Sequence, residues 1–93
     1  VDHPVIAEHY RDGDVRIHIA NISANGFMID DARQTERGDR VIVRLPVIGR
    51  IEAYCIWSRD NRAGYQFERI LRIDDFLAMI DTLQPNPRLR KLR

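Results

Sequence analysis

The sequence predicts an all-β domain, a six-stranded antiparallel β-barrel followed by one C-terminal helix. Three observations predict it. Apolar and polar residues alternate with period two through roughly the first two thirds of the chain, as strands with one wet and one buried face require. Short clusters of turn-forming residues cut that stretch into six segments. At Ile73 the apolar spacing lengthens to that of a helix. Ninety-three residues leave room for a single core, so a multi-domain enzyme is excluded.

The first two strands span Val5 to Tyr10 and Val15 to Asn21, flanking Arg11-Asp12-Gly13-Asp14. Asp-Gly fits a two-residue type I′ turn, which sets Tyr10 opposite Val15 and Ile6 opposite Ile19. Val15, Ile17 and Ile19 then share the core face, with Arg16 and His18 on the wet one. A short strand, Phe27 to Asp30, follows the Ser-Ala-Asn-Gly turn, and the polar stretch from Asp31 to Asp39 reads as a loop. Arg40 to Leu45 and Arg50 to Ser58 form a second hairpin across Pro46-Val47-Ile48-Gly49. Asp60-Asn61-Arg62 turns the chain into the sixth strand, Ala63 to Glu68. Six strands on short turns favour closure, since a closed barrel leaves no unpaired edge. The helix carries an apolar stripe of Ile73, Phe76, Leu77, Ile80 and Leu83, with Asp74 as N-cap and Pro85 as the stop. That stripe has only the barrel to bury against. Residues 1 to 87 therefore form the domain, and residues 88 to 93 a basic tail.

Fifteen basic and fourteen acidic residues nearly cancel, but Arg88, Arg90, Lys91 and Arg93 sit in the tail, which leaves eleven basic against fourteen acidic residues in the body. A body at −3 argues against DNA or RNA as partner, because such binding rests on positive charge. The one cysteine, Cys55, cannot form an internal disulfide, no charged-then-apolar leader opens the sequence, and no apolar run approaches a membrane span; the expected location is cytoplasmic. Valine rather than methionine at position 1 marks a trimmed product or a piece of a longer chain.

No catalytic constellation is present, so no enzyme is expected. His3, His9, His18 and Cys55 lack metal-ligand spacing, although the predicted register would make His9 and His18 diagonal neighbours on the outer face. Cys55 lies in an apolar strand and reads as a buried, inert thiol. Asp30-Asp31 and Asp74-Asp75 sit at a strand end and a helix start, where carboxylates have structural uses.

One turn is less ordinary. In Asn21-Ile22-Ser23-Ala24-Asn25-Gly26, Asn and Ser bond either their own backbone or a ligand, and Gly26 permits a positive φ that brings the backbone close to a bound group. The chain resembles the PilZ domain family, bacterial receptor modules for cyclic di-GMP. The likeness rests on Asn21-x-Ser23-x-x-Gly26 between strands, on Gly38-Asp39 before Val41-Ile42-Val43-Arg44-Leu45-Pro46, and on Trp57 followed by Gly64-x-x-Phe67. It implies a six-stranded antiparallel barrel with a C-terminal helix, in agreement with the periodicity. It also implies that Asn21 and Ser23 contact guanine and phosphate outside the barrel while Gly26 shapes the turn. Cyclic di-GMP would then be a regulatory ligand with no cofactor required, and a protein partner would receive the signal.

Family members that bind the nucleotide also carry an Arg-x-x-x-Arg pair before the first strand, and here nothing basic precedes Arg11. Arg33 and Arg37, like Arg40 and Arg44, have the spacing but follow the turn. Arg11 and Arg16 straddle the first hairpin and are the arginines carried as candidate ligand contacts. Either the pair lies upstream of Val1, or the domain does without the clamp and serves as a protein-interaction scaffold.

Overall fold

The computed structural model describes residues 3–9, 13–30 and 35–83. Its strands are β1 (His3–His9), β2 (Gly13–Ile22), β3 (Gly26–Asp30), β4 (Arg40–Leu45), β5 (Gly49–Arg59) and β6 (Arg62–Phe67), followed by helix α1 (Ile73–Leu83). They close into an antiparallel barrel in the order β1-β2-β3-β6-β5-β4. The expected architecture is thus the observed one.

Inward positions alternate as the sequence pattern requires: Val5 and Ala7, Ile19, Phe27 and Ile29, Val41 and Val43, Ile51 and Ala53, Tyr65 and Phe67 fill one continuous core. Phe27 stacks on Tyr65 with ring centres 5.0 Å apart and tilts against Phe67 at 5.5 Å. At the β5–β6 turn, Asp60 and Asn61 take φ of 53° and 62°, the two left-handed residues of a type I′ hairpin.

Three expectations need correction. Ile6 pairs with Arg16 and Ala7 with Val15, not Ile6 with Ile19 and Tyr10 with Val15. The connection is longer than two residues: Gly13, at φ 71°, already lies in β2 opposite His9. The shift is of three residues, so it keeps Val15, Ile17 and Ile19 on one face of β2 but turns β1 over: the expected register sets Ile6 on the core face, whereas Val5 and Ala7 fill the core and Ile6 faces out. Tyr10 and Arg11 themselves lie outside the described residues.

The helix is capped two residues earlier than expected, with Phe76 N–H donating to the Arg72 carbonyl at 2.9 Å, so Asp74 sits in the first turn rather than at the cap. There, with Asp75, it meets the positive end of the helix dipole. The buried stripe is rotated as well. Met79 and Leu83 are buried with Phe76 and Ile80 packed beside them, while Ile73 and Leu77 are exposed. Leu71, buried before the helix starts, takes the anchoring position expected of Ile73. Pro85 and the basic tail lie outside the described residues.

Helix α1 follows β6 at the barrel end that also holds the β2–β3 and β4–β5 turns, where partly buried Ile22, Ala24 and Ile48 join the core. Met79 and Leu83 close that end. At the opposite end Asp39, itself buried, accepts a hydrogen bond from the Glu36 N–H at 3.1 Å and stands 3.5 Å from His9 Nε2.

Candidate functional site

Two strands depart from regular pairing, and they flank one patch of the outer wall. In β2 the register against β3 shifts between Ile19 and Asn21; in β5 the register against β6 shifts between Cys55 and Trp57. Each bulge adds one residue and so reverses the alternation beyond it. Asn21, which strict alternation from buried Ile19 would turn inward, faces solvent instead. On β5 the bulge sets Ile56 and Trp57 on the outer face in succession.

Register then aligns a transverse row across four strands. Asn21 pairs with Met28, Met28 with Gly64, and Gly64 with Trp57. Glycine at 64 is required by that row: a Cβ there would stand 2.0 Å from Trp57 Nε1, because the indole lies directly on the glycine backbone. The bare glycine lets the ring lie flat, an arrangement known for glycines in sheets. Arg59 places its guanidinium carbon 5.9 Å from the centre of the indole.

Above this row lies an open depression of about 300 Å³, bordered by Asn21, Ser23, Asn25 and Gln66 on the polar side and by Ile56 and Trp57 on the apolar side. Asn21 Oδ1 accepts the Ile22 N–H at 2.9 Å, which leaves its amide NH₂ directed to solvent with two donors. Ser23 Oγ makes only long bonds, 3.3 Å from the Asn25 N–H and 3.4 Å to the Gly26 carbonyl. The turn is held by its backbone instead. Ser23 N–H reaches the Gly26 carbonyl at 2.8 Å, and the carbonyls of Asn25 and Ala24 accept N–H groups from Phe67 and Leu71 at 2.8 and 2.9 Å. The turn is therefore rigid, and its side chains are spare.

Gly26 does not take the positive φ expected of it. A Cβ at this position would stand 1.9 Å from the Tyr65 carbonyl oxygen. The close approach is to the neighbouring strand, not to a ligand.

The structure brings together Asn21, Ser23 and Gly26 and separates Arg16 from them. Arg16 is five residues back along β2, roughly 16 Å at the rise of an extended strand, and lines a different depression beside Arg44. Arg11 lies outside the described residues. Trp57, Gly64 and Met28 are the additions that sequence reasoning did not place in the site. The spacing of Trp57 and Gly64 around an Asp-Asn turn carried the signal, but only a bulge makes them partners.

None of the described residues lining the depression bears a charge, so they supply neither a general base nor an anion clamp. They offer neutral donors and acceptors beside an aromatic ring, which suits a planar, hydrogen-bonding ligand. The remaining chemistry-bearing groups are engaged structurally. Cys55 is buried, its Sγ 3.2 Å from the Trp57 carbonyl, and burial pushes its thiol above the ordinary value, away from the reactive thiolate. His9 points inward to Asp39 while exposed His18 points out, so the two are not neighbours. Among the described residues no three His, Cys, Asp or Glu side chains group as metal ligands.

The family model of the PilZ domain matches residues 2–81. No curated protein and no solved structure matches the chain. With most of its length inside that match, the chain belongs to the PilZ family, whose members are generally non-catalytic regulatory modules that bind cyclic di-GMP.

Proposed function

We propose that this PilZ domain is a cytoplasmic, non-catalytic cyclic di-GMP receptor or adaptor, taking the nucleotide on the outer wall and acting through contacts with a protein partner. The observation that supports this reading is the rigid turn whose Asn21 amide and Ser23 hydroxyl stand spare at the rim of a depression containing Trp57. A guanine ring has the shape for that apolar shelf and the edge groups for those neutral partners. Base stacking on an aromatic side chain is worth about 1–3 kcal/mol. The phosphates are less well served, since no arginine lines the depression among the described residues.

That lack of charge favours a second reading, a PilZ scaffold that does not bind nucleotide. Two missing charge-assisted contacts at about 1.5–3 kcal/mol each amount to roughly two to four decades of affinity. Titration of residues 1–93 with cyclic di-GMP, followed by amide and indole NMR shifts, separates the readings. The receptor reading expects weak, saturable shifts at residues 21–26 and at the Trp57 indole. It also expects the affinity to rise by roughly two to four decades when an Arg-x-x-x-Arg pair is placed ahead of β1. No shift at millimolar nucleotide, with or without the added pair, would leave the scaffold.

A further inference from the structure

The barrel is closed unevenly. Between β1 and β4 the ladder among the described residues consists of His9–Val41, Glu8–Ile42 and Ala7–Val43, and it stops at Ala7–Val43 on the side of Ile6 and Arg44. The same register would next pair Ile6 with Arg44 and Val5 with Leu45, yet these residues are paired only on their other sides, to Arg16, Ile17, Arg50 and Gly49. Both strands therefore continue past the point where they part, and among the described residues no strand fills the fork. Strand edges left without partners are templates for another strand. Pro4, which has no N–H to give a ladder, sits on this part of β1, a position proline tolerates only at an edge.

A depression of about 510 Å³ lies in the fork, its rim carrying Pro4, Ile6, Pro46, Arg16 and Arg44. The floor is apolar and the rim is cationic. Buried Val5 and Leu45 form the floor. Arg16 makes no ion pair among the described residues. Arg44 has two, to Glu8 at 3.3 Å and to Asp14 at 3.4 Å, both long and on a half-exposed side chain with donors to spare. Ile6 faces outward with Arg16 as its partner on β2, and Arg44 reaches from β4 over β1 to Glu8 and Asp14, so both arginines border the depression around one strand.

We propose that this fork is a docking site for an extended, acidic segment of a partner protein, which adds a strand to the free edges and sets its carboxylates against Arg16 and Arg44. The backbone edges demand an extended peptide, and its alternation sorts apolar residues to the Val5–Leu45 floor and acidic ones to the rim. Carboxylate fits the guanidinium fork in bidentate fashion, which a lone phosphate or a membrane surface would satisfy without using the strand edges at all. The inference does not depend on nucleotide binding, because the fork lies on the side of the barrel away from the Asn21–Trp57 row.

The test is NMR titration of residues 1–93 with an end-capped octapeptide, Thr-Glu-Val-Glu-Val-Glu-Val-Thr. Saturable shifts should centre on the amides of Val5, Ile6, Arg44 and Leu45, with slowed hydrogen exchange there. A peptide with Lys for Glu, and one N-methylated at alternate residues, should each bind at least about tenfold more weakly, as should the Arg16→Glu variant against the parent peptide. Arg40→Glu, on the same wall outside the fork, should bind as the parent does. The proposal is overturned by no shift at millimolar peptide, by equal binding of the Lys peptide, or by equal binding of the N-methylated one, which would mean a side-chain contact without strand addition. Protection of the fork amides that grows with protein concentration in the absence of peptide would identify a second copy as the occupant and also overturn it.

Discussion

Across β2, β3, β6 and β5 the outer wall is shaped by backbone: two bulges, Gly26 pressed against the Tyr65 carbonyl and Gly64 lying under the Trp57 ring, and a turn whose carbonyls are tied to the end of β6 and the chain beyond it. Across β4 and β1 it is shaped by charge. Glu8 receives a two-pronged contact from Arg50 at 2.8 and 2.9 Å and a third from Arg44 at 3.3 Å, Asp14 accepts a further bond from Arg44, and Arg40 faces Glu52 at 3.7 Å. The first wall holds its shape through contacts that cannot adjust, and therefore presents uncommitted side chains in fixed positions. The second holds through long, exposed side chains that can exchange partners. The proposed nucleotide site draws on the first property, fixed side chains on a rigid wall, and the proposed strand-docking surface on the second.

Substitution at the two glycines is the strongest way to break the contrast. Gly26→Ala drives a Cβ against the Tyr65 carbonyl, part of a strand that cannot step aside, and is expected to cost more than about 3 kcal/mol, seen as a collapsed thermal transition. Gly64→Ala meets only the Trp57 ring, which can rotate away. It should cost about 1–3 kcal/mol and shift the indole fluorescence, because the ring loses its seat. If Gly26→Ala melts like the parent, the turn is not fixed by close approach.

The helix gives the next largest effect and tests which face closes the barrel beneath both walls. Met79→Ala should destabilise by about 2–5 kcal/mol, since Met79 is fully buried. Leu77→Ala should stay within about 0.5 kcal/mol, since Leu77 is half exposed. The reverse ranking would restore the stripe expected from sequence.

That stripe shows how far the sequence can be read. Alternation identified all six strands and the core face of β2, because burying one face of a strand imposes a pattern that survives small errors of boundary, but on β1 the expected register turned Ile6 inward where the structure buries Val5 and Ala7. It did not fix the β1–β2 register, since two registers bury the same side chains of β2. Nor did spacing choose between Leu77 and Met79, which differ by about 200° around the helix and are equally apolar. At the site, Asn21, Ser23 and Gly26 were legible as a turn. Trp57 and Gly64 were legible only as a motif, because their pairing depends on the bulge at Ile56, and a bulge leaves no period to detect. The fork between β1 and β4 was hidden altogether: pairing that stops is a property of two strands, not of either one.

Ser23→Ala separates shape from recognition on the backbone-built wall. The hydroxyl is exposed and its bonds are long, so stability should move by less than about 0.5 kcal/mol. Cyclic di-GMP shifts at residues 21–26 should weaken markedly. A large loss of stability would mean that the hydroxyl, and not the backbone, holds the turn.

The smallest effect belongs to the charged wall and is read through pH. Hydrogen bonding from Arg50, joined by that from Arg44, holds the Glu8 carboxyl below the ordinary value near 4.5. A carboxyl depressed in the folded state binds its proton more readily when unfolded, so the contribution is present above pH 4.5 and disappears as pH falls through the lower folded value. Glu8→Gln should therefore melt slightly below the parent at pH 7, with the gap closing as the medium is acidified. Exposure and screening keep the gap small, and about 1 M salt should close it at any pH. A gap that persists in acid and in salt would show that Glu8 acts through packing, and that the two walls differ less in kind than their contacts imply.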